Sequence, residues 1–130
     1  MSLWLKRKKE KKKKSQHQGK NVKKVKITAL RRTCYPDLMD KYENPIEHPC
    51  DVEVGMVWIS ENGEKPETLC LSAWESMAPF VKELANGGGN FYDGWMKNPY
   101  SAMISCNDGF RPVSFYLEAY EDKQKEINNG

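Results

Sequence analysis

From Leu69 to Leu84 apolar residues recur at Leu69, Ala73, Trp74, Met77, Val81 and Leu84. That i, i+3/i+4 spacing lays one apolar stripe along a helix. Pro66 and Thr68 stand where start signals belong, with Thr68 as N-cap and Gly87 as the stop. Pro79 interrupts the pattern. It removes a backbone donor and meets the carbonyl of Glu75, at a cost of roughly 3 kcal/mol in a straight helix. A kink or break is predicted there, with Pro79 opening a second short helix.

Elsewhere the pattern has a period of two. Val25-Lys26-Ile27-Thr28-Ala29 alternates as a half-buried strand does, and residues 52–59 read as a second strand. Asn62-Gly63, a turn signal, closes it. Ala102, Ile104 and Cys106 alternate, as do Val113, Phe115, Leu117 and Ala119, and Asp108-Gly109 lies between them. A two-residue type I′ turn there pairs Cys106 with Arg111, Ile104 with Val113 and Ala102 with Phe115. Pro112 then belongs at an edge or a bulge. Residues 34–50 are turn-rich, with one helical turn near Leu38-Met39. These elements predict an α+β fold, a small antiparallel sheet of about four strands with one kinked helix packed on one face.

Charge divides the chain. Residues 1–26 carry twelve Lys and Arg against one acid, and residues 27–130 carry nine against seventeen. Residues 1–24 are therefore read as a disordered basic tail, 25–120 as a single α+β domain and 121–130 as a polar tail that frays. An acidic body argues against nucleic acid as the ligand of the fold itself. The Lys-rich tail has two candidate contacts, weak and non-specific: nucleic acid, or anionic lipid through Trp4 and the lysines. No apolar run has the ~20 residues of a transmembrane segment, and no signal peptide is visible. A cytoplasmic location is the expectation, in which the four cysteines are free thiols or metal ligands.

Candidate chemistry centres on those cysteines, spaced Cys34-x15-Cys50-x19-Cys70-x35-Cys106. No CxxC pair is present, so a metal site, for zinc or iron, requires Cys50, Cys70 and Cys106 to converge, with His48 as a fourth ligand. The bland alternative is buried thiols that pack as small hydrophobes. Cys70 near a helix start and Cys106 opposite Arg111 are the candidate reactive thiols. Arg111 has a simpler role too, pairing with Asp108. Residues 87–95 join a glycine run to Phe91, Tyr92 and Trp95. They lack the lysine and hydroxyl ending of a phosphate loop. Two readings stand: an ordered connection whose aromatics cover the core, or a contact surface for a ligand or partner. Two histidines and scattered acids make a weak case for an enzyme.

Together the runs VKITALRRTCYPDLMDKY, HPC, VGMVW, KPETLCLSAW, PFV, GGNFYDGWM and SCNDGFRPVSFYLE resemble a family of small bacterial proteins. That family is described only as an uncharacterised repeat family, found as a single short domain or a tandem pair, often in anaerobes. The resemblance covers residues 25–118. It implies that Cys50, Cys70 and Cys106 are the recurrent cysteines, Trp74 the recurrent helix aromatic, and Asp108, Gly109 and Arg111 the recurrent turn. The chain departs from the family at Thr68, where a glycine is usual, and at Ser105, where a second cysteine is usual. The resemblance implies no activity. Three classes of function stay open: a ligand- or partner-binding accessory domain with Trp74, Phe91, Tyr92, Trp95, Asp108 and Arg111 on its surface, a cysteine-based metal-binding protein, and a thiol-dependent enzyme or redox protein.

Overall fold

The computed structural model describes residues 22–46 and 50–120. The basic tail up to Asn21, His48 and residues 121–130 lie outside the described residues, and so do the expectations placed on them. The elements are β1 (Lys24–Arg32), α1 (Pro36–Tyr42), β2 (Val57–Glu61), α2 (Leu71–Ala85), β3 (Ser101–Ser105) and β4 (Val113–Tyr120). The strands form one antiparallel sheet in the order β2-β1-β4-β3. The fold is α+β, as the pattern predicts.

The core follows from alternation. Val25, Ile27 and Ala29 on β1 and Val113, Phe115 and Leu117 on β4 are buried on one face. Helix α2 covers that face with Ala73, Met77, Phe80, Val81, Leu84 and Ala85. The opposite face carries Lys24, Lys26 and Thr28 beside Tyr116 and Glu118, all half-buried. Apolar side chains leave water on the covered face only, so that face sets which way every strand points.

Four expectations need correction. Helix α2 runs unbroken through Pro79, which is exposed on its outer side, so no second helix opens there. The apolar stripe holds the helix together across the missing hydrogen bond. Its N-cap is Cys70, with no side-chain cap hydrogen bond, and not Thr68. Thr68 Oγ1 instead accepts a hydrogen bond from Trp58 Nε1 at 3.0 Å. Strand β2 begins at Val57, because residues 53–56 turn through Gly55 at φ +99°, and Met56 N–H donates to Glu53 O at 3.1 Å.

The fourth correction concerns the hairpin. Ala102 faces Leu117 and Ile104 faces Phe115, a register two residues away from the predicted one. Cys106 N–H donates to Val113 O at 3.1 Å, so Cys106 does not face Arg111. Residues 110–112 are drawn to the continuation of β1, where Thr33 N–H donates to Pro112 O and Tyr35 N–H to Phe110 O. Asp108 Oδ1 accepts from the N–H groups of Phe110 and Arg111, at 2.8 and 3.2 Å, which replaces the tight turn by a wider Asx-type loop. A shift of two restores each side chain to the same face, so the core is unaffected.

The stop at Gly87 is as read. Gly87 has φ +90°, Gly88 N–H donates to Glu83 O and Gly87 N–H to Leu84 O. This is a Schellman closure of α2. The Asn62-Gly63 turn also forms, with φ of +57° and +77° and Glu64 N–H donating to Glu61 O. It leads toward α2 and not into a partner strand.

Candidate functional site

A cleft of about 350 Å³ opens at the N-terminal end of α2. Three segments wall it: Asp51 and Val52, then Met56, Val57 and Trp58 entering β2, then Thr68 and Cys70 leading into α2. Trp58 holds two of these walls together. Its ring stacks edge-on against buried Phe115 at 6.0 Å, and its Nε1 donates to Thr68 Oγ1. The lining mixes apolar surface, one thiol and one carboxylate, the composition of a small binding site.

The cleft adjoins an open sheet edge. Strand β2 lies at the end of the sheet. Ala29 N–H donates to Met56 O, and Asn62 N–H donates to Lys23 O. In an antiparallel ladder alternate residues bond inward, so Trp58 and Ser60 follow Met56 and Asn62 toward β1. Val57 and Ile59 therefore aim their N–H and C=O groups outward, where no strand among the described residues meets them. Their side chains are 48% and 37% exposed. An apolar edge with free backbone groups is a template for one more strand.

The predicted cysteines gather at this end without forming a ligand set. Cys70 lines the cleft, and Cys50 adjoins Asp51 in its wall. Cys106 precedes Asn107, which hydrogen-bonds Ser72 in the first turn of α2. Cys50 and Cys106 are half-buried against the core, and Cys34 and Cys70 are exposed. Among the described residues no group of three or more His, Cys, Asp or Glu is placed to hold a metal ion. The described donors therefore do not fit a zinc or iron centre.

The residues proposed as a binding surface occupy three separate places. Trp74 lies on α2 with Lys82 Nζ 5.7 Å from its ring centroid. Phe91 is fully buried, edge-on to Phe80 at 5.0 Å, and belongs to the core. Tyr92 and Trp95 stack edge-on at 5.3 Å and are exposed. Their loop is held in unusual backbone geometry, with Asn90, Tyr92 and Asp93 at φ of +52° to +56°. For a tyrosine that conformation costs about 1–3 kcal/mol. The loop is clamped where Asn90 N–H donates to Pro99 O at 2.5 Å, and a Cβ on Gly89 would stand 2.4 Å from that same oxygen.

Arg111 is the third place. Its guanidinium is buried and bonds Asp108 Oδ2 at 2.9 Å, Met39 Sδ at 3.3 Å and the Glu43 carboxylate. Burial opposes ionisation of Asp108. Hydrogen bonds from Phe110 and Arg111 N–H and the Arg111 charge outweigh it, and hold the carboxyl below its ordinary value. Burial likewise works against the Arg111 charge, and Glu43 and Asp108 more than offset it. These contacts tie α1 to the β3–β4 connection.

Among the described residues no helix is long and apolar enough to cross a membrane. No family model, curated protein or solved structure matches the chain.

Proposed function

We propose that this protein is a small binding module that takes an extended, peptide-like partner along the outer edge of β2. One side chain of that partner enters the cleft beside Trp58. The observation that carries this reading is the adjacency of the two features: backbone groups of Val57 and Ile59 that no strand among the described residues meets border a cavity that shares Val57 as a wall. Strand addition takes affinity from main-chain hydrogen bonds and specificity from pockets for alternate side chains, and this end supplies both. The exposed Cys70 thiol in the same cleft marks occupancy and gives a convenient reporter. Among the described residues no acid–base pair accompanies the thiol in the cleft, which favours binding over catalysis.

The test is NMR mapping with a library of synthetic hexapeptides that vary in charge and carry one large apolar residue. Binding peptides are expected to shift the amides of Val57, Trp58, Ile59 and Cys70. Peptides that bind but perturb residues 91–100 instead would move the site to the aromatic loop and overturn the reading.

A further inference from the structure

We infer that the partner of the β2 edge is supplied by this chain itself: the segment Leu3-Trp4-Leu5, followed by its run of lysines. The inference rests on the strand-addition reading above and names its occupant.

Three properties select that segment. The first is alternation. Side chains of an added strand point to alternate faces. Val57 and Ile59 present exposed apolar side chains on the open face of the sheet, and the cleft lies on the face of Trp58. Leu3 and Leu5 match the first pair, and Trp4 between them matches a cleft of about 350 Å³, space enough for one large side chain.

The second is charge. Residues 51–70 hold five acids, Asp51, Glu53, Glu61, Glu64 and Glu67, against one Lys. All five acids are exposed. Residues 6–14 hold eight Lys and Arg against one acid. A cation-rich strand beside an anionic rim is favoured at low salt and weakened as salt screens it.

The third is reach. Lys23 O accepts from Asn62 N–H, so the chain enters β1 beside the far end of β2. Ile59 lies three residues from Asn62, about 10 Å along the strand. Leu5 lies seventeen residues before Val22, and at up to ~3.3 Å per residue a chain of that length can span roughly 55 Å, several times the distance needed. The segment therefore reaches the edge without being stretched. Occupied in this way, the edge is capped within its own chain, and an outside partner must displace the cap.

The experiment compares the full chain with a full-length variant carrying Leu3→Ser, Trp4→Ala and Leu5→Ser, by amide hydrogen exchange at low salt. In the unaltered chain the Val57 and Ile59 amides are expected to exchange about tenfold more slowly than in the variant, as a millimolar effective concentration confers on a segment of about 0.1 mM intrinsic affinity. The protection should be independent of protein concentration and fall in 0.5 M salt (about a 4 Å Debye length). Equal rates in the two chains, or protection that grows with concentration as dimers form, would overturn the inference. A synthetic Lys-Leu-Trp-Leu-Lys-Lys peptide added to the variant separates the two proposals. If it protects Val57 and Ile59 while the unaltered chain shows no protection, the occupant is wrong and the binding edge stands. If it protects nothing either, both fall.

Discussion

The two ends of α2 are built in opposite ways. At its C-terminal end the helix closes on its own backbone. Gly87 and Gly88 complete a Schellman closure, Gly89 packs under the carbonyl of Pro99, and Phe91 seals the core against Phe80. At its N-terminal end the closure is loose. Cys70 caps the helix without a side-chain hydrogen bond, a cleft separates it from β2, and the β2 edge carries backbone groups that no strand among the described residues meets. Both ends expose aromatic or apolar surface, so exposure alone does not distinguish them. What distinguishes them is whether the backbone has partners left to make. The closed end uses strain to hold a fixed shape, and the open end leaves hydrogen bonds unmade that a partner strand can complete.

Substitutions should therefore cost most at the closed end. Phe91→Ala empties a fully buried site and is expected to destabilise by about 3–5 kcal/mol in urea unfolding. A loss under 1 kcal/mol would mean that the loop is not part of the core. Gly89→Ala forces a methyl group against Pro99 O and should cost about 1–3 kcal/mol. Shifts in the amides of residues 90 and 100 would accompany it if the clamp is the cause.

At the open end the sign reverses. Cys70→Ser puts a good N-cap where the present one makes no cap bond, and should stabilise by about 0.5–1 kcal/mol. Destabilisation measured instead would show that the thiol is packed and the cleft closed.

The smallest effect is expected from Asp108, which lies away from the closed end and ties α1 to the β3–β4 loop. Its folded pKa is depressed below 3.8, so it contributes stability above that value and loses it as pH falls further. Asp108→Asn should flatten the stability–pH curve below about pH 4 and leave its shape near pH 7 unchanged. An unchanged acid limb would show that the Arg111 cluster is held by Glu43 alone.

The alternation of β1 and β4 was readable because one face of the sheet is buried and the period is two. That is also why the hairpin prediction missed the register and kept the faces. Asp108-Gly109 favours a tight turn locally, but Asp108 prefers the N–H groups of Phe110 and Arg111, and Thr33 and Tyr35 claim the carbonyls beyond them. Those competitors lie some seventy residues upstream and leave no local mark. Pro79 misled for a related reason: its cost is local, and the packing of Met77, Phe80, Val81 and Leu84 that offsets it is not. The cleft was invisible in sequence, because Asp51, Trp58 and Cys70 meet only once β2 has paired with β1. Cys70 stood out as a helix-start thiol, and that much survives. Of the two readings of the 87–95 loop, aromatics that cover the core and a binding mouth, Phe91 follows the first: it is fully buried in the core.

The most direct measurement is the alkylation rate of Cys70 by iodoacetamide, with Cys34 as the internal control, before and after adding a peptide selected for binding. Both thiols are exposed. If the cleft beside β2 is the binding site, the peptide should slow alkylation of Cys70 about tenfold at 90% occupancy while Cys34 keeps its rate. Unchanged rates at both thiols with the peptide bound would contradict the assignment of this end as the binding end.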